Sequence, residues 1–338
     1  ECDIINSDNN FQATDGCRDG LEAYEKIKST KYDGVVLDVN MPRMDGLQLL
    51  EKLQKERIKA NVVMVSTLTS KDADTTIMAL ELGAIDFVTK PNNIIEAKGQ
   101  EFKNNLLSVL SAALRMRRST PALNSCNSRT VAAARPAEPI KRLKPTGKNK
   151  LVALACSTGG PKALQSVIPY LPKNLNAPIV LVQHMPAGFT KSMADRLDDI
   201  SEITVKEAKD GEILQKGNVY IAPGGRHMEI KKKTDGTHVI ELNDMPPIGG
   251  LKPCANITYD SLTSSGFDEI VCVVLTGMGA DGTNGILSLG KKKPIYVISQ
   301  DADSCVVYGM PKSIYEAGVV DEVVTLTDVA KTITKNVG

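Results

Sequence analysis

Ser157, His184 and Asp281 have the residue types that nucleophilic acyl transfer requires. A serine hydroxyl needs a base to take its proton, and a histidine base needs a carboxylate to fix its tautomer and stabilise the imidazolium. Each of the three comes after a strand-like apolar run: Ser157 after Leu151-Val152-Ala153-Leu154-Ala155, His184 after Ile179-Val180-Leu181-Val182, and Asp281 after Ile270-Val271-Cys272-Val273-Val274-Leu275. Parallel sheets place their ligands beyond the carboxyl ends of the strands, so the three residues converge on one edge. Past Ser157, Thr158-Gly159-Gly160-Pro161 leads into a helical pattern from Lys162 to about Ile168, with proline near the first turn. Free N–H groups and the dipole at such a helix start can stabilise an oxyanion, and the glycines let a substrate approach the backbone. Taken singly, each residue has a structural alternative: Ser157 or Thr158 as a helix cap, His184 as a satisfied loop histidine, Asp281 as a turn former beside Gly282. Of the other two histidines, His238 lies in a polar, turn-rich stretch, and His227, after Pro223-Gly224-Gly225, is a weaker candidate for substrate contact.

The elements that must carry these residues are those of a parallel α/β sheet. The runs at 151–155, 178–182, 270–275 and 295–298 are continuous and apolar, as strands covered on both faces should be. A second alternating pattern spans Gln12 to about Lys90, with central strands expected at Gly34–Val39 and Val62–Ser66. Between those strands Leu47, Leu49, Leu50 and Leu53 fall at or near helical spacing, with Gln48, Glu51, Lys52 and Lys55 opposite, which predicts an amphipathic surface helix. A length of 338 residues suits two domains of ordinary size. The expected division is a domain over 1–110, a linker over 111–147, and a catalytic domain over 148–338. The linker shifts to Ala, Pro, Ser and basic residues, with Glu138 its one acid. It reads as a solvated spacer held extended by self-repulsion, with a docking strip for an acidic or nucleic-acid partner as the alternative.

Composition narrows the partners. Lys plus Arg total 41 against 40 Asp plus Glu, so global charge does not point to nucleic acid or an anionic membrane. Seven cysteines are scattered without CxxC pairs, which fits a reducing compartment. No apolar run approaches the ~18 residues of a membrane span, and the N-terminus lacks a secretory signal pattern. A cytoplasmic protein is expected. The chain opens on Glu1, in what reads as the middle of an element, so a truncated start is expected as well.

Read together, the motifs of the second domain resemble those of the chemotaxis-type protein-glutamate methylesterases, the CheB family. The resemblance rests on Ser157-Thr158-Gly159-Gly160-Pro161, Gln183-His184-Met185-Pro186 with Gly188-Phe189-Thr190, Ile221-Ala222-Pro223-Gly224, Leu275-Thr276-Gly277-Met278-Gly279-Ala280-Asp281-Gly282, and Gly309-Met310-Pro311. It implies a doubly wound parallel-sheet catalytic domain with Ser157 as nucleophile, His184 as base and Asp281 as its orienting partner. Thr158 and Met278 then line the oxyanion and substrate site. Ala155 and Cys156 stand where the family usually has Gly-Ala. The implied reaction takes the acyl group of a glutamyl methyl ester on a methyl-accepting chemoreceptor to Ser157, releases methanol and hydrolyses the acyl-enzyme, without a cofactor. Deamidation of receptor glutamines is a second activity of the family. Contact with the membrane would be peripheral, through the receptors.

The first domain resembles the response-regulator receivers, which have a flavodoxin-like fold. Asp38-Val39-Asn40-Met41-Pro42-Arg43-Met44-Asp45-Gly46 matches the phosphoacceptor strand and loop, and Ser66 and Lys90-Pro91 match the hydroxyl and lysine positions. The resemblance implies phosphorylation at Asp38 by a chemotaxis histidine kinase, supported by Ser66 and Lys90. Receivers hold Mg2+ partly through an acidic pair after their first strand. That strand and pair are absent from this sequence, so Asp38 is the one retained candidate side-chain ligand. Regulation is expected to work by the unphosphorylated receiver covering the catalytic cleft.

Two other readings compete. Gly277-Met278-Gly279-Ala280-Asp281-Gly282 spells G-x-G-x-x-G after a strand, with Asp301 further on, as in dinucleotide-binding proteins. A response regulator that only binds, through its basic linker to DNA, is the non-enzymatic reading, but no helix-turn-helix pattern is present, and nucleic acid is not expected as a partner. The first glycine of G-x-S-x-G is missing at Ala155, and the order Ser, His, Asp differs from that of the α/β-hydrolases, so that superfamily is not assigned.

Overall fold

A computed structural model describes residues 1–91, 100–115, 143–145 and 147–338. The chain divides into two compact units, Glu1–Ser119 and Thr120–Gly338.

In the first unit, β1 (Val35–Asp38), β2 (Val62–Ser66) and β3 (Asp86–Thr89) form a parallel sheet in the order β1-β2-β3. Every residue of β2 is buried, which accounts for its unbroken apolar run. The amphipathic helix forms over Gly46–Lys55 and buries Leu49, Leu50 and Leu53. Asp45 and Gln48 start it with a reciprocal capping box. A further helix, Gln100–Arg115, runs past residue 111, the expected start of the linker, and buries Leu106, Val109, Leu110, Ala112 and Ala113. The apolar face of 111–113 therefore belongs to the first unit's core. Most of the basic stretch, 116–142, lies outside the described residues.

The second unit is built on seven parallel strands in the order β12-β11-β10-β4-β5-β7-β6. They are β4 (Lys150–Cys156), β5 (Ile179–Gln183), β6 (Thr204–Glu207), β7 (Asn218–Ile221), β10 (Glu269–Val274), β11 (Ile295–Gln300) and β12 (Glu322–Val324). From β4 the chain first adds strands on one side, through β5, and later on the other, through β10, so β4 borders the topological switch point. The two-stranded hairpin of β8 (His227–Lys232) and β9 (His238–Asn243) stands apart from this sheet. His238, expected in a turn-rich stretch, instead begins β9. Apolar residues Met228, Ile230, Ile240 and Leu242 turn inward, while the charged Glu229, Lys231 and Glu241 had masked the pattern. No described helix is long and apolar enough to cross a membrane.

Candidate active site

The three central strands β5, β4 and β10 deliver His184, Ser157 and Asp281 to the same sheet edge. Cys156 and Gln183 are partners in the β4–β5 register, so Ser157 and His184 are the first residues past the ladder on adjacent strands. Neighbouring strands are ~4.8 Å apart, and the His184 amide still donates to Cys156 O at 3.3 Å. On the other side, the Ser157 amide donates to Thr276 O at 3.0 Å. Apolar strand interiors set the depth of each residue, and the parallel register sets their alignment.

His184 and Asp281 meet directly, with His184 Nε2 2.7 Å from Asp281 Oδ2. Asp281 is also held by main-chain donors: Ala255 N at 2.6 Å to Oδ2, and Asn256 N at 3.1 Å and Gly282 N at 2.9 Å to Oδ1. The Cys254 thiol adds a fourth donor at 3.2 Å to Oδ1. Ala255 opens the helix Ala255–Ser261, and Gly282 caps the helix Thr283–Gly290, so two helix N-termini face one carboxylate. Burial by itself raises the Asp281 pKa, but the His184 contact and the N–H and S–H donors outweigh it and lower it to about 2. The Cys254 thiol is pushed up to about 11 by burial and by the charge of Asp281, which keeps it a donor. Such an acid can orient an imidazole and balance its positive charge without taking the proton.

Ser157 stands one strand away from this pair at the same edge. Among the described residues, no hydrogen bond joins its hydroxyl to His184. The helix after it runs over Gly160–Gln165, earlier and shorter than the expected Lys162–Ile168, with Pro161 in its first turn. Its N-cap is Gly159, in the left-handed region at φ 75°, and no side chain caps it. The helix-cap alternative for Ser157 and Thr158 is therefore not realised. Thr158 is nearly buried, and its carbonyl accepts the Thr276 hydroxyl at 2.9 Å. Met278 sits on the loop before Asp281 and is 38% exposed.

The glycines of the 277–282 loop do work other than phosphate binding. A Cβ at Gly277 would run into Met310 Sδ and come within 2.9 Å of Ser157 Cβ, so this glycine lets two loops close on the serine. The helix start at Gly282, where a dinucleotide fold would hold its pyrophosphate, already faces the Asp281 carboxylate. The geometry therefore opposes the dinucleotide reading.

His227 is fully buried, with Nε2 donating to Pro246 O at 3.2 Å, so it supports the 244–248 loop and offers no surface to a substrate. His238 accepts the Gly266 amide at 2.8 Å and stacks on Phe267. The sequence reading did not single out Thr276, Cys254 or Asn256. Asn256 Oδ1 accepts the amides of Gly282 at 3.1 Å and Gly285 at 2.7 Å, capping the helix that follows Asp281. Of these, only Thr276 had a sequence signal, as part of the Thr-Gly-Met-Gly-Ala-Asp run.

In the first unit, Asp38 ends β1 and forms an ion pair with Lys90, which follows β3. Ser66 is fully buried, and its hydroxyl accepts the Thr76 hydroxyl at 2.8 Å, so it is turned into the protein. Among the described residues no group of three or more His, Cys, Asp or Glu could hold a metal. With Asp38 paired to Lys90, these residues alone do not fit a magnesium ion.

Comparison with known proteins agrees with both halves of the chain. Residues 152–333 match the CheB methylesterase family and residues 3–98 the response regulator receiver domain. A protein-glutamate methylesterase/protein-glutamine glutaminase of Pyrococcus horikoshii is 42% identical over 336 residues, covering 99% of this chain and 89% of that protein. A Bacillus subtilis protein of the same name is 40% identical, covering 98% of this chain and 93% of that protein. The crystal structure of the Thermotoga maritima CheB methylesterase catalytic domain superposes with a TM-score of 0.53 at 43% identity, over 56% of this chain and 98% of that one.

Proposed function

The chain belongs to the CheB methylesterase family and carries a receiver domain, and from that premise we propose that Ser157, His184 and Asp281 form the triad of a protein-glutamate methylesterase. The observation that carries the proposal is the His184–Asp281 pair at 2.7 Å, beside Ser157 at the next register position.

With Nε2 committed to Asp281, Nδ1 of His184 is the nitrogen left to take the Ser157 proton. Ser157 Oγ adds to the ester carbonyl carbon, and the carbonyl oxygen becomes an oxyanion. Thr158 and Met278 line the place where it forms, and a main-chain N–H there stabilises the charge. Collapse expels methoxide, which takes the proton from His184 and leaves as methanol. Water, deprotonated by His184, then adds to the acyl-serine, and the second collapse returns Ser157 and a glutamate carboxylate. A glutamine side chain follows the same path, with ammonia leaving in place of methanol. No step calls for a cofactor.

The substrates are side chains of methyl-accepting chemoreceptors, and the enzyme meets them from the cytoplasm. A histidine kinase phosphorylates Asp38, with Lys90, its ion-pair partner, supporting the phosphoryl group. Phosphorylation at Asp38 controls the esterase.

The deciding experiment measures methanol release from methylated receptor fragments by the full chain and its Ser157→Ala variant. Loss of release in the variant is expected, and release at the parent rate would reject Ser157 as nucleophile. For the control step, Asp38→Asn should abolish any response of the rate to a phosphodonor. An undiminished response would place the control elsewhere.

A further inference from the structure

We propose that Gln183 is a positioning residue for this reaction, fixing Ser157 and His184 relative to each other through their main-chain carbonyls; the inference rests on the triad reading above. Gln183 is the last residue of β5 and is 2% exposed. Its Nε2 donates to Ser157 O and to His184 O, both at 3.1 Å. Its Oε1 accepts the Cys156 thiol at 3.0 Å.

These contacts lie where the ladder ends, and the Ser157 carbonyl also accepts the Gly160 amide at 2.6 Å. The β4–β5 ladder ends at Cys156 and Gln183, and the carbonyls of the next two residues have left the pairing pattern just where the site begins. A primary amide carries two N–H bonds in one plane at a fixed angle, so one group can bind both carbonyls and hold their separation. The two carbonyls can only accept, so the amide nitrogen faces them and its oxygen faces the Cys156 thiol. Burial raises the Cys156 pKa far above its ordinary range, so the thiol keeps its proton and can donate to that oxygen. Cys156, where the family usually has alanine, thereby locks the amide.

Successive side chains of a strand alternate between faces. Gln183 and Cys156, partners in the ladder, therefore lie on one face. Gln183 touches no substrate and acts only through the two main chains. Ser157 is then clamped from both sides, by its N–H to Thr276 O at 3.0 Å and by its carbonyl to Gln183. The second glycine of the Thr-Gly-Gly-Pro turn follows from the same group. A Cβ on Gly160 would overlap Gln183 Oε1 and come within 3.0 Å of its Cδ.

The test is a kinetic cycle on the full chain, following methanol release from methylated receptor fragments and thermal unfolding. Gln183→Met keeps the volume and removes both donors. A shift on the ångström scale between nucleophile and base costs up to ~100-fold in rate, so kcat should fall about 10- to 100-fold with KM within about twofold. Gly160→Ala should act through the same amide, so Gln183→Ala and Gly160→Ala should be non-additive, the double variant being no slower than the slower single. Normal kcat in folded Gln183→Met would overturn the proposal, as would a change confined to KM, or strictly additive losses. Ser157→Ala runs alongside: if it retains the parent rate, the triad reading fails first, whereas an inactive Ser157→Ala beside a normal Gln183→Met removes only the role of Gln183.

Discussion

The Asp281 carboxylate accepts the main-chain N–H of Ala255 at 2.6 Å, so the acid paired with His184 also serves as the N-terminal cap of the helix Ala255–Ser261. In the proposed triad, activity and stability are thereby joined in one side chain. Asp281→Ala leaves the Ala255 and Asn256 amides without their acceptor, while the Gly282 amide keeps Asn256 Oδ1 at 3.1 Å. Each buried orphan costs about 1–3 kcal/mol. Asp281→Asn keeps one acceptor oxygen, so it should be the more stable of the two variants. Both should lose activity by about 10³- to 10⁴-fold, since a neutral side chain cannot stabilise the imidazolium. Thermal unfolding beside methanol-release kinetics checks the pair: equal Tm values for the two variants would contradict the capping role.

The same carboxylate sets a pH dependence whose direction can be worked out. Its pKa is lowered from 3.8 to about 2 in the fold, so the folded state favours the ionised form. Stability from this group is complete above pH ~4 and is lost as pH falls toward 2, on the order of 2 kcal/mol in all. The Tm difference between the parent chain and Asp281→Asn should therefore be constant from pH 7 to about 4.5 and shrink below that. A difference that instead grew with acid would show that Asp281 does not carry this linkage.

The sequence revealed what local pattern and residue chemistry can reveal. The runs at β4, β5 and β10 were apolar because both faces are covered, and their ends pointed to Ser157, His184 and Asp281. The supports of those residues were hidden for two physical reasons. Ala255 contributes only a main-chain N–H, which has no side-chain signature, and two of the partners of Gln183, Cys156 and Ser157, lie across from it on the β4 side. A glutamine closing an apolar strand reads as an ordinary polar terminus until the neighbouring strand is in place. Glycines behaved similarly: Gly277 read as one letter of a phosphate-loop pattern, and only the packing of Met310 and Ser157 against it reveals its use.

That packing yields a further prediction. Gly277→Ala would bring a methyl group to within 2.9 Å of Ser157 Cβ and into the Met310 thioether. Met310 can swing aside, but Ser157 is fixed by its main-chain bonds, so the strain falls on Ser157, the proposed nucleophile. Overpacking of this kind costs about 1–3 kcal/mol, and kcat should fall at least ~10-fold through misplacement of the hydroxyl. Unchanged kcat in a Gly277→Ala protein of normal Tm would mean that the serine does not depend on this close approach.

Thr276 offers the most selective test of how the Ser157-Thr158 turn is held. Its side chain is 1% exposed; the hydroxyl donates to Thr158 O at 2.9 Å and accepts the Val307 amide at 2.9 Å. Its own main chain is fixed as well, with its amide donating to Gln300 Oε1 at 2.8 Å and its carbonyl accepting Ser157 N at 3.0 Å. Thr276→Val preserves shape and removes only the hydroxyl, leaving Thr158 O and Val307 N to find other partners in a buried loop. A cost of about 1–3 kcal/mol is expected from those groups, with kcat reduced on the order of 10-fold as the Ser157-Thr158 turn loosens. Thr276→Ser restores the hydroxyl and should recover most of the rate, because the loop is held by the oxygen and not by the methyl group. Comparing kcat, KM and Tm for the three proteins separates the contributions: a serine variant as slow as the valine variant would show that the methyl packing, and not the hydrogen bonds, holds the turn.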